Sequence, residues 1–183
     1  MIKRVAGVLV SVLLMLSMCT AFADTPKIDP NAGKYIDKPQ VTEPPVQHPL
    51  VVLPGWAGFT IPADTVDVEM YMPNPAKNEG WYHLAFEVWA AIPEDQIVEG
   101  TETKIIVQRD DDGNPIGEVV FAKLFESGLV PPGMCLQFIT LLQPVAEGLY
   151  EANVHIQPYY VETMQPVPNS GTVDVYLNVV KKE

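Results

Sequence analysis

The densest group of residues that could bind a ligand is the acidic run Asp110–Asp112, which Gly113 follows directly. A calcium loop of the EF-hand type needs oxygen ligands at its first, third and fifth positions, glycine at the sixth and glutamate at the twelfth. With Gly113 at the sixth position, the first is Gln108 and the twelfth is Val119, so the pattern is imperfect at its start and fails at its end. Asp110 and Asp112 are weak metal-ligand candidates, and we expect no metal and no cofactor. The run better fits the tip of a β-hairpin between 105–107 and 119–121, because Asp and Asn side chains stabilise tight turns.

Nucleophilic catalysis requires a nucleophile that is held by a base, and the sequence offers no such pair. Ser127 and Ser170 both lie beside glycine in turn-like contexts, and neither belongs to a nucleophile-elbow motif. The histidines His48, His83 and His155 are far apart, and no cysteine pair or His-Glu-x-x-His motif could hold zinc. A carboxylate pair for sugar hydrolysis needs a cleft, which a small domain with short loops seldom forms. We therefore expect no enzymatic activity.

Aromatic residues could bind a carbohydrate, because ring faces stack on sugars while nearby polar groups bond to the hydroxyls. Tyr71 and Tyr176 are expected on the solvent faces of their strands, and Trp89 on the same face as His83 and Glu87. The alternative is that most of these rings cover the ends and edges of the fold. The speculative ligand-binding residues are Trp56, Trp81, Trp89, Tyr71 and Tyr176, with Tyr159 and Tyr160 as further candidates.

The first 23 residues have the pattern of a secretory signal peptide. Lys3 and Arg4 precede an uncharged apolar stretch over 5–18, and Ala21 and Ala23 supply the small residues of a cleavage site. We expect cleavage after Ala23, no transmembrane anchor in the remaining chain, and a secreted protein in the periplasm or outside the cell. The alternative is lipidation of Cys19, but Met18 stands where a lipobox has a small side chain.

The charge and cysteine content exclude several classes of function. The chain has a net charge of −12, and loss of Lys3 and Arg4 would leave 9 basic residues against 23 acidic ones, a net charge of −14. Nucleic-acid binders and proteins that bind anionic lipids depend on neutralising phosphates, so this balance argues against both. Cleavage would also remove Cys19 and leave Cys135 as the one cysteine, which excludes an intramolecular disulfide.

Residues 24–49 combine six prolines with polar residues and few large apolar side chains. Such a segment cannot bury enough apolar surface to offset the entropy of ordering it. We predict a Pro-rich disordered spacer, either a stalk or a plain unstructured N-terminus.

From residue 50 onward the apolar residues alternate with a period of two, which is typical of strands with one buried face. Turn signals separate the strands, the stretch 93–102 is predicted as a loop, and no helix of convincing length is predicted. Short strands of this kind must stack as two sheets or close as a barrel, and we predict an all-β antiparallel sandwich over 50–183. Seven strands are predicted over 66–72, 82–92, 103–108, 118–125, 136–142, 150–157 and 172–179, with an eighth over 51–61.

The run Gly148-Leu149-Tyr150 resembles the tyrosine corner of immunoglobulin-like sandwiches, in which a tyrosine opening the sixth strand bonds back to the backbone. Ala152 stands where the antibody-type cysteine would be. The runs 54–56, 74–78 and 126–133, with Leu141 and Pro144, are similar to small uncharacterised secreted bacterial proteins, although 94–114 is longer than that pattern expects. The resemblance implies an immunoglobulin-like fold of seven to eight strands, structural roles for Gly148 and Tyr150, and no known activity.

Two functions fit these features. The first is an exported, non-enzymatic binding or structural module whose partner is a protein or a cell-envelope component. The alternative is a carbohydrate-binding module that uses exposed aromatic residues.

Overall fold

The structure is a computed structural model that describes residues 27–34, 50–110 and 112–181. The predicted signal peptide over 1–23, including Cys19, lies outside the described residues, as do 24–26 and 35–49 of the predicted spacer. None of the helices in the described ranges is long and apolar enough to cross a membrane.

The described residues form nine strands and two short 3-10 turns. The 3-10 turns are Ala76–Asn78 and Glu94–Gln96, and the second lies in the predicted loop 93–102. The strands are β1 (Gly33–Lys34), β2 (Gly58–Pro62), β3 (Asp67–Pro73), β4 (Tyr82–Ala90), β5 (Thr103–Arg109), β6 (Pro115–Glu126), β7 (Met134–Thr140), β8 (Gly148–Tyr160) and β9 (Gly171–Val180).

The strands pair into two sheets with the arrangement of an immunoglobulin-like sandwich. One sheet has the order β1-β7-β3 and the other β2-β9-β8-β4-β6-β5. β3 and β7 lie in one sheet and β4, β8 and β9 in the other, as the B and E strands and the C, F and G strands do in immunoglobulin domains. All these pairs are antiparallel except β2 and β9, which run parallel from Gly58↔Tyr176 to Pro62↔Val180. The predicted all-β immunoglobulin-like sandwich is confirmed, with this one parallel pair.

The core lies between the two sheets and follows the alternation in the sequence. Val68, Met70 and Met72 of β3 are buried, whereas the residues between them are exposed. The same pattern holds along β8 and β9, whose registered pairs bring buried side chains to the same face. Among the described residues, the apolar side chains with no exposed surface are Met72, Leu84, Phe86, Val88, Ala90, Ala122, Leu124, Leu129, Val130, Leu136, Val154 and Ile156.

Part of the predicted spacer packs against the sandwich. Ile28 forms a parallel bridge with Leu129, and the backbone N–H of Asp29 donates to the Leu129 carbonyl at 2.8 Å. The Asp29 carboxylate also accepts a hydrogen bond from the Gly128 N–H at 3.0 Å. A Cβ on Gly128 would lie 2.6 Å from the Lys27 carbonyl oxygen, so this approach requires glycine. Within the predicted spacer, residues 27–34 therefore pack on the sandwich through backbone hydrogen bonds, although the segment has few apolar side chains.

Buried amide side chains hold the connections between strands. Asn74 is fully buried, and its Nδ2 donates to the carbonyls of Tyr82 at 3.0 Å and Val130 at 2.8 Å. Asn78 donates to the Asn74 side-chain oxygen at 2.7 Å and also bonds both backbone groups of Val52. The two asparagines therefore join the β3–β4 turn to two segments that are distant in sequence.

The two sheets differ in width, since one has three strands and the other six. Ala122 and Leu124 in the second half of β6 are fully buried. The first half of β6 and nearly all of β5 are exposed or half-buried instead. The β5–β6 hairpin therefore projects beyond the part of the large sheet that the small sheet covers.

The tyrosine corner is present at the start of β8. The Tyr150 hydroxyl donates to the Ala146 carbonyl at 3.0 Å, four residues upstream. A Cβ on Gly148 would lie 2.8 Å from the Tyr150 ring, so the ring can fold back over this position because it is glycine. Gly148 and Tyr150 therefore have the geometry that a tyrosine corner requires.

Replacing Tyr150 with phenylalanine should lower the free energy of unfolding by about 1 kcal/mol, because the variant loses one intramolecular hydrogen bond and keeps the ring. Urea denaturation of Tyr150→Phe measures this change. Tyr176→Phe is the control, since the Tyr176 side chain is exposed on β9 and should change stability little. Equal losses in the two variants would contradict a role for the corner.

Candidate functional site

Two of the predicted ligand-binding tryptophans are not exposed. Trp56 packs at 5.6 Å on the Phe59 ring and at 6.2 Å on the Phe86 ring, and its Nε1 donates to the Tyr71 carbonyl at 2.7 Å. Trp89 is only 5% exposed. Trp56 therefore packs against the core and charged side chains cover Trp89, so neither ring offers an open face to a sugar.

The other three candidate rings are exposed but do not form one surface. Tyr71 lies on β3 of the small sheet, whereas Tyr176 lies on β9 of the large sheet. Trp81 is 47% exposed and lines a cavity of about 660 Å³ together with Tyr82 and Tyr160. The rings of Tyr82 and Tyr160 are 5.7 Å apart, so this cavity at the start of β4 brings two exposed candidates, Trp81 and Tyr160, together with the half-buried Tyr82.

Asp110 and Asp112 of the acidic run lie in the turn between β5 and β6, as the turn chemistry predicts. The Asp110 carboxylate accepts hydrogen bonds from the N–H groups of Asp112 at 3.0 Å and Asn114 at 2.8 Å. Hydrogen bonds from the Asn114 side chain and backbone lower the pKa of Asp110. Within the described ranges, no group of three or more His, Cys, Asp or Glu side chains could hold a metal ion. All three hydrogen bonds to the Asp110 carboxylate stabilise the turn itself.

A cluster of charged side chains on the outer face of the large sheet centres on Lys123, which is 7% exposed. Its Nζ lies 2.7 Å from the Glu102 carboxylate, 2.9 Å from that of Glu126 and 3.3 Å from that of Glu87. It also lies 5.1 Å from the centre of the Trp89 ring. Burial lowers the pKa of Lys123, but hydrogen bonds to Glu102 and Glu126 and the charge of Glu87 outweigh burial, so the pKa lies above its usual value.

A second lysine, Lys104 of β5, covers the same tryptophan. Its Nζ lies 4.4 Å from the centre of the Trp89 ring and 5.8 Å from that of Phe121, and it donates to the Asn153 side-chain oxygen at 2.9 Å. Glu87 accepts a hydrogen bond from Trp89 Nε1 at 3.0 Å and so fixes the ring beneath both cations. Lys104 and Lys123 therefore hold the projecting hairpin against the centre of the large sheet.

Replacing Lys123 with methionine should lower the free energy of unfolding by about 1–3 kcal/mol, because three carboxylates lose their common partner. The loss of stability should not be larger, because these carboxylates remain partly solvated. The raised folded-state pKa means that this stabilisation is complete below pH 10.5 and is lost as pH rises through the folded-state value. Urea denaturation at low and at high salt measures this loss of stability. High salt should make the loss smaller, because it screens the charges of the ion pairs. Lys77→Met, at an exposed site, is the control.

A polar groove lies beside this cluster, between the docked segment 27–30 and the outer face of β4 and β8. It encloses about 630 Å³ and is lined by Glu87, Glu126, His155 and Tyr159 among others. Burial and the charges of Glu126 and Glu87 raise the pKa of Tyr159. The groove therefore presents a phenol, carboxylates and an imidazole.

Burial also shifts the pKa of side chains away from this cluster, among them His83 and Cys135. Burial raises the pKa of the Cys135 thiol, with an opposing hydrogen bond from Tyr71, so the thiol stays protonated at neutral pH. Burial lowers the pKa of His83, whose buried Nδ1 has no hydrogen-bond partner among the described residues.

The lowered pKa of His83 predicts a contribution to acid sensitivity. The unfolded state binds a proton near pH 6.5 more readily than the folded state, so protonation should reduce stability as the pH falls below that value. Measuring the free energy of unfolding from pH 7.5 to pH 5 should give a shallower decline for His83→Gln than for the wild type. Identical slopes would contradict this contribution.

The projecting hairpin exposes a group of aliphatic side chains along an unpaired edge. Ile105 is 63% exposed and Ile116 is 65% exposed, and Ile106 and Val107 are exposed as well. β5 is the outermost strand of the large sheet, and no described strand pairs with its outer edge. Natural sheets usually protect such an edge with charges, proline or a covering segment, so an apolar free edge indicates an interaction surface.

Comparison with known proteins gives little similarity. No protein-family model and no curated protein sequence matches the chain. Among solved structures, the chain is similar to the ASH / PapD-like domain of human CEP192 (PapD-like domain 7), with 11% sequence identity and a TM-score of 0.35 over 81% of this chain and 99% of that chain. That similarity is too low to carry a functional argument.

Proposed function

We propose that this protein is an exported, non-enzymatic binding module that recognises an extended polypeptide segment of a protein or cell-envelope partner along the free edge of β5. The observation that carries the proposal is the combination of an unpaired strand edge with exposed Ile105, Ile106 and Val107. An added strand would satisfy the free backbone groups of β5 and cover these side chains.

The pairing of the strands supports this choice of surface. Phe138 on β7 is also exposed, but β7 is an inner strand of its sheet, and it pairs with β3 at this position through Glu69↔Phe138. At β5 the free backbone edge and the exposed aliphatic side chains lie together, which is the requirement for binding by strand addition. The partner segment should therefore be apolar and extended.

The sequence supports export and disfavours other partners. Residues 1–23 have the signal-peptide pattern, and their removal would give a chain with a net charge of −14. A protein of this charge repels nucleic acids and anionic membranes, so a polypeptide is the better partner.

Substitutions on the hairpin should abolish partner capture without unfolding the domain. The exported protein serves as bait, and partner proteins are captured from the native envelope fraction. Ile105→Lys and Ile116→Lys should each reduce the amount of captured partner at least tenfold, which corresponds to about 1.4 kcal/mol of binding free energy. Both side chains are exposed, so stability should change by no more than about 0.5 kcal/mol. Phe138→Lys is the matched control, because Phe138 is equally exposed on the other sheet.

Hydrogen exchange identifies the surface directly, since strand addition should slow exchange of the β5 amides in the captured complex. Capture that survives both hairpin substitutions would contradict the proposal. Protection of the Trp81 cavity instead of β5 would favour the alternative, recognition of a glycan by Trp81 and Tyr160. Concentration-dependent dimers in light scattering would show that the occupant of the edge is a second copy of this chain.

A further inference from the structure

We propose that the cavity beside Trp81 binds a small organic cation that carries a quaternary ammonium group, as choline does. The cavity encloses about 660 Å³ at the end of the β4–β8 pair, and Trp81, Tyr82 and Tyr160 line it. The turn after β8 supplies the rest of the lining, which includes Glu162 and Thr163. β6 separates β4 from β5 in the large sheet, so this site and the β5 edge of the proposed function can be tested independently.

The two strands hold the tyrosine rings in place without a ligand. Tyr82 and Tyr160 are directly paired residues of the antiparallel strands β4 and β8, and side chains at paired positions lie on the same face of a sheet. Their ring centres are 5.7 Å apart and their planes are inclined at 43°. The rings therefore form two angled walls of a concave site and not one flat platform.

Backbone hydrogen bonds fix the rest of the cavity. The Trp81 carbonyl accepts a hydrogen bond from the Val161 N–H at 3.0 Å, which continues the strand pairing beyond β4. The Tyr160 N–H donates to the Gln165 carbonyl at 3.0 Å and closes the turn 160–165. Trp81 and Tyr160 are both exposed. The site is therefore preformed and open to solvent, as is usual for sites that bind small molecules.

The surroundings of Trp81 differ from those of Trp89. The Nζ atoms of Lys104 and Lys123 lie 4.4 Å and 5.1 Å from the centre of the Trp89 ring, so that ring already has its cations. Among the described residues, no lysine or arginine lies over the ring of Trp81. An indole face attracts cations through its quadrupole, and at Trp81 a bound ligand can supply that cation.

The charges around the cavity favour a cation as its ligand. Glu162 lines the cavity and is exposed. The ion pairs among the described residues all involve Lys123, so no lysine or arginine there neutralises the Glu162 carboxylate. No basic residue of the described ranges lines the cavity. The whole chain has a net charge of −12, which attracts cations and repels anionic ligands.

The lining favours a quaternary ammonium group over a primary one. A primary ammonium is strongly hydrated and loses hydrogen bonds to water when aromatic rings surround it. A trimethylammonium group has no N–H to satisfy, so ring faces and the carboxylate of Glu162 are sufficient partners for it. A compact group of this kind also fits between angled rings, whereas a sugar stacks on a flat ring face.

The test is a titration of the purified protein with choline, observed through the NMR signal of the choline methyl groups. We expect saturable binding with a Kd of about 1 mM or lower. The neutral isostere of choline, in which a tert-butyl group replaces trimethylammonium, should bind at least tenfold more weakly. Equal affinity for the two compounds, or no saturable binding of choline, would overturn the proposal. Binding of neutral oligosaccharides at this cavity without binding of choline would also overturn it, in favour of a glycan.

A peptide that contains trimethyllysine distinguishes the two sources of the quaternary ammonium group. Tighter binding of the peptide than of choline would support the site and identify a modified protein as the source. Tighter binding of choline would support the site and identify a small molecule instead.

Substitution of Trp81 tests the role of its ring. Trp81→Leu should weaken choline binding at least tenfold, since leucine keeps an apolar side chain but has no ring face. Trp81→Phe keeps a ring and should retain part of the affinity. Tyr176→Leu is the matched control, because Tyr176 is exposed on β9 outside the cavity and its loss should leave the affinity unchanged. An unchanged affinity in Trp81→Leu would overturn the proposal.

Substitution of Glu162 tests the role of its charge. Glu162→Gln should weaken choline binding about threefold, because an exposed carboxylate attracts a cation only modestly. The same variant should reduce the dependence of the affinity on salt. Glu151→Gln is the control, since Glu151 is exposed on β8 outside the cavity. Equal affinities in these two variants would overturn the role of Glu162.

Discussion

The difference in width between the two sheets is the constraint on which the rest of this structure depends. A three-stranded sheet covers part of a six-stranded one, so the apolar core reaches only the second half of β6, where Ala122 and Leu124 are buried. Beyond that point β5 and the first half of β6 cannot be stabilised by burial between sheets. The hairpin must be held by other interactions, and whatever faces outward from it must remain in contact with solvent or with a partner.

The charged cluster on the outer face supplies that support. Lys104 on β5 and Lys123 on β6 both lie on the Trp89 ring in β4, and Glu102 reaches Lys123 from the residue before β5. The cluster therefore spans several strands from the opposite side to the core. A surface ion pair alone contributes little, but Lys123 is almost fully buried and has several partners, so its contribution is larger. The same cluster explains why Trp89, expected on a solvent face, has almost no free surface.

Some features could be read from the sequence because they depend on local patterns. Alternation along β3, β8 and β9 gave the correct buried faces, and the Asp110 turn and the Tyr150 corner followed from short motifs whose partners are a few residues away. Features that depend on distant partners were missed. Residues 27–34 read as a spacer because their own side chains are polar, yet their backbone pairs with Leu129 and with Met134–Cys135. The composition of a segment indicates how much apolar surface the segment can bury. It does not indicate which backbone groups of another segment are left unpaired and available to it.

The sequence by itself determined an acidic all-β chain, the approximate position of eight strands, the turn at Asp110 and the glycine and tyrosine of the corner. Tertiary structure decided the number of strands in each sheet, the parallel pairing of β2 with β9, and the environments of Trp56, Trp89, Lys104 and Lys123. The physical reason is the distance along the sequence between the residues that determine each feature. Strand period and turn geometry come from residues a few positions apart, whereas sheet width and the contacts of a long side chain depend on strands that meet only after the chain has folded.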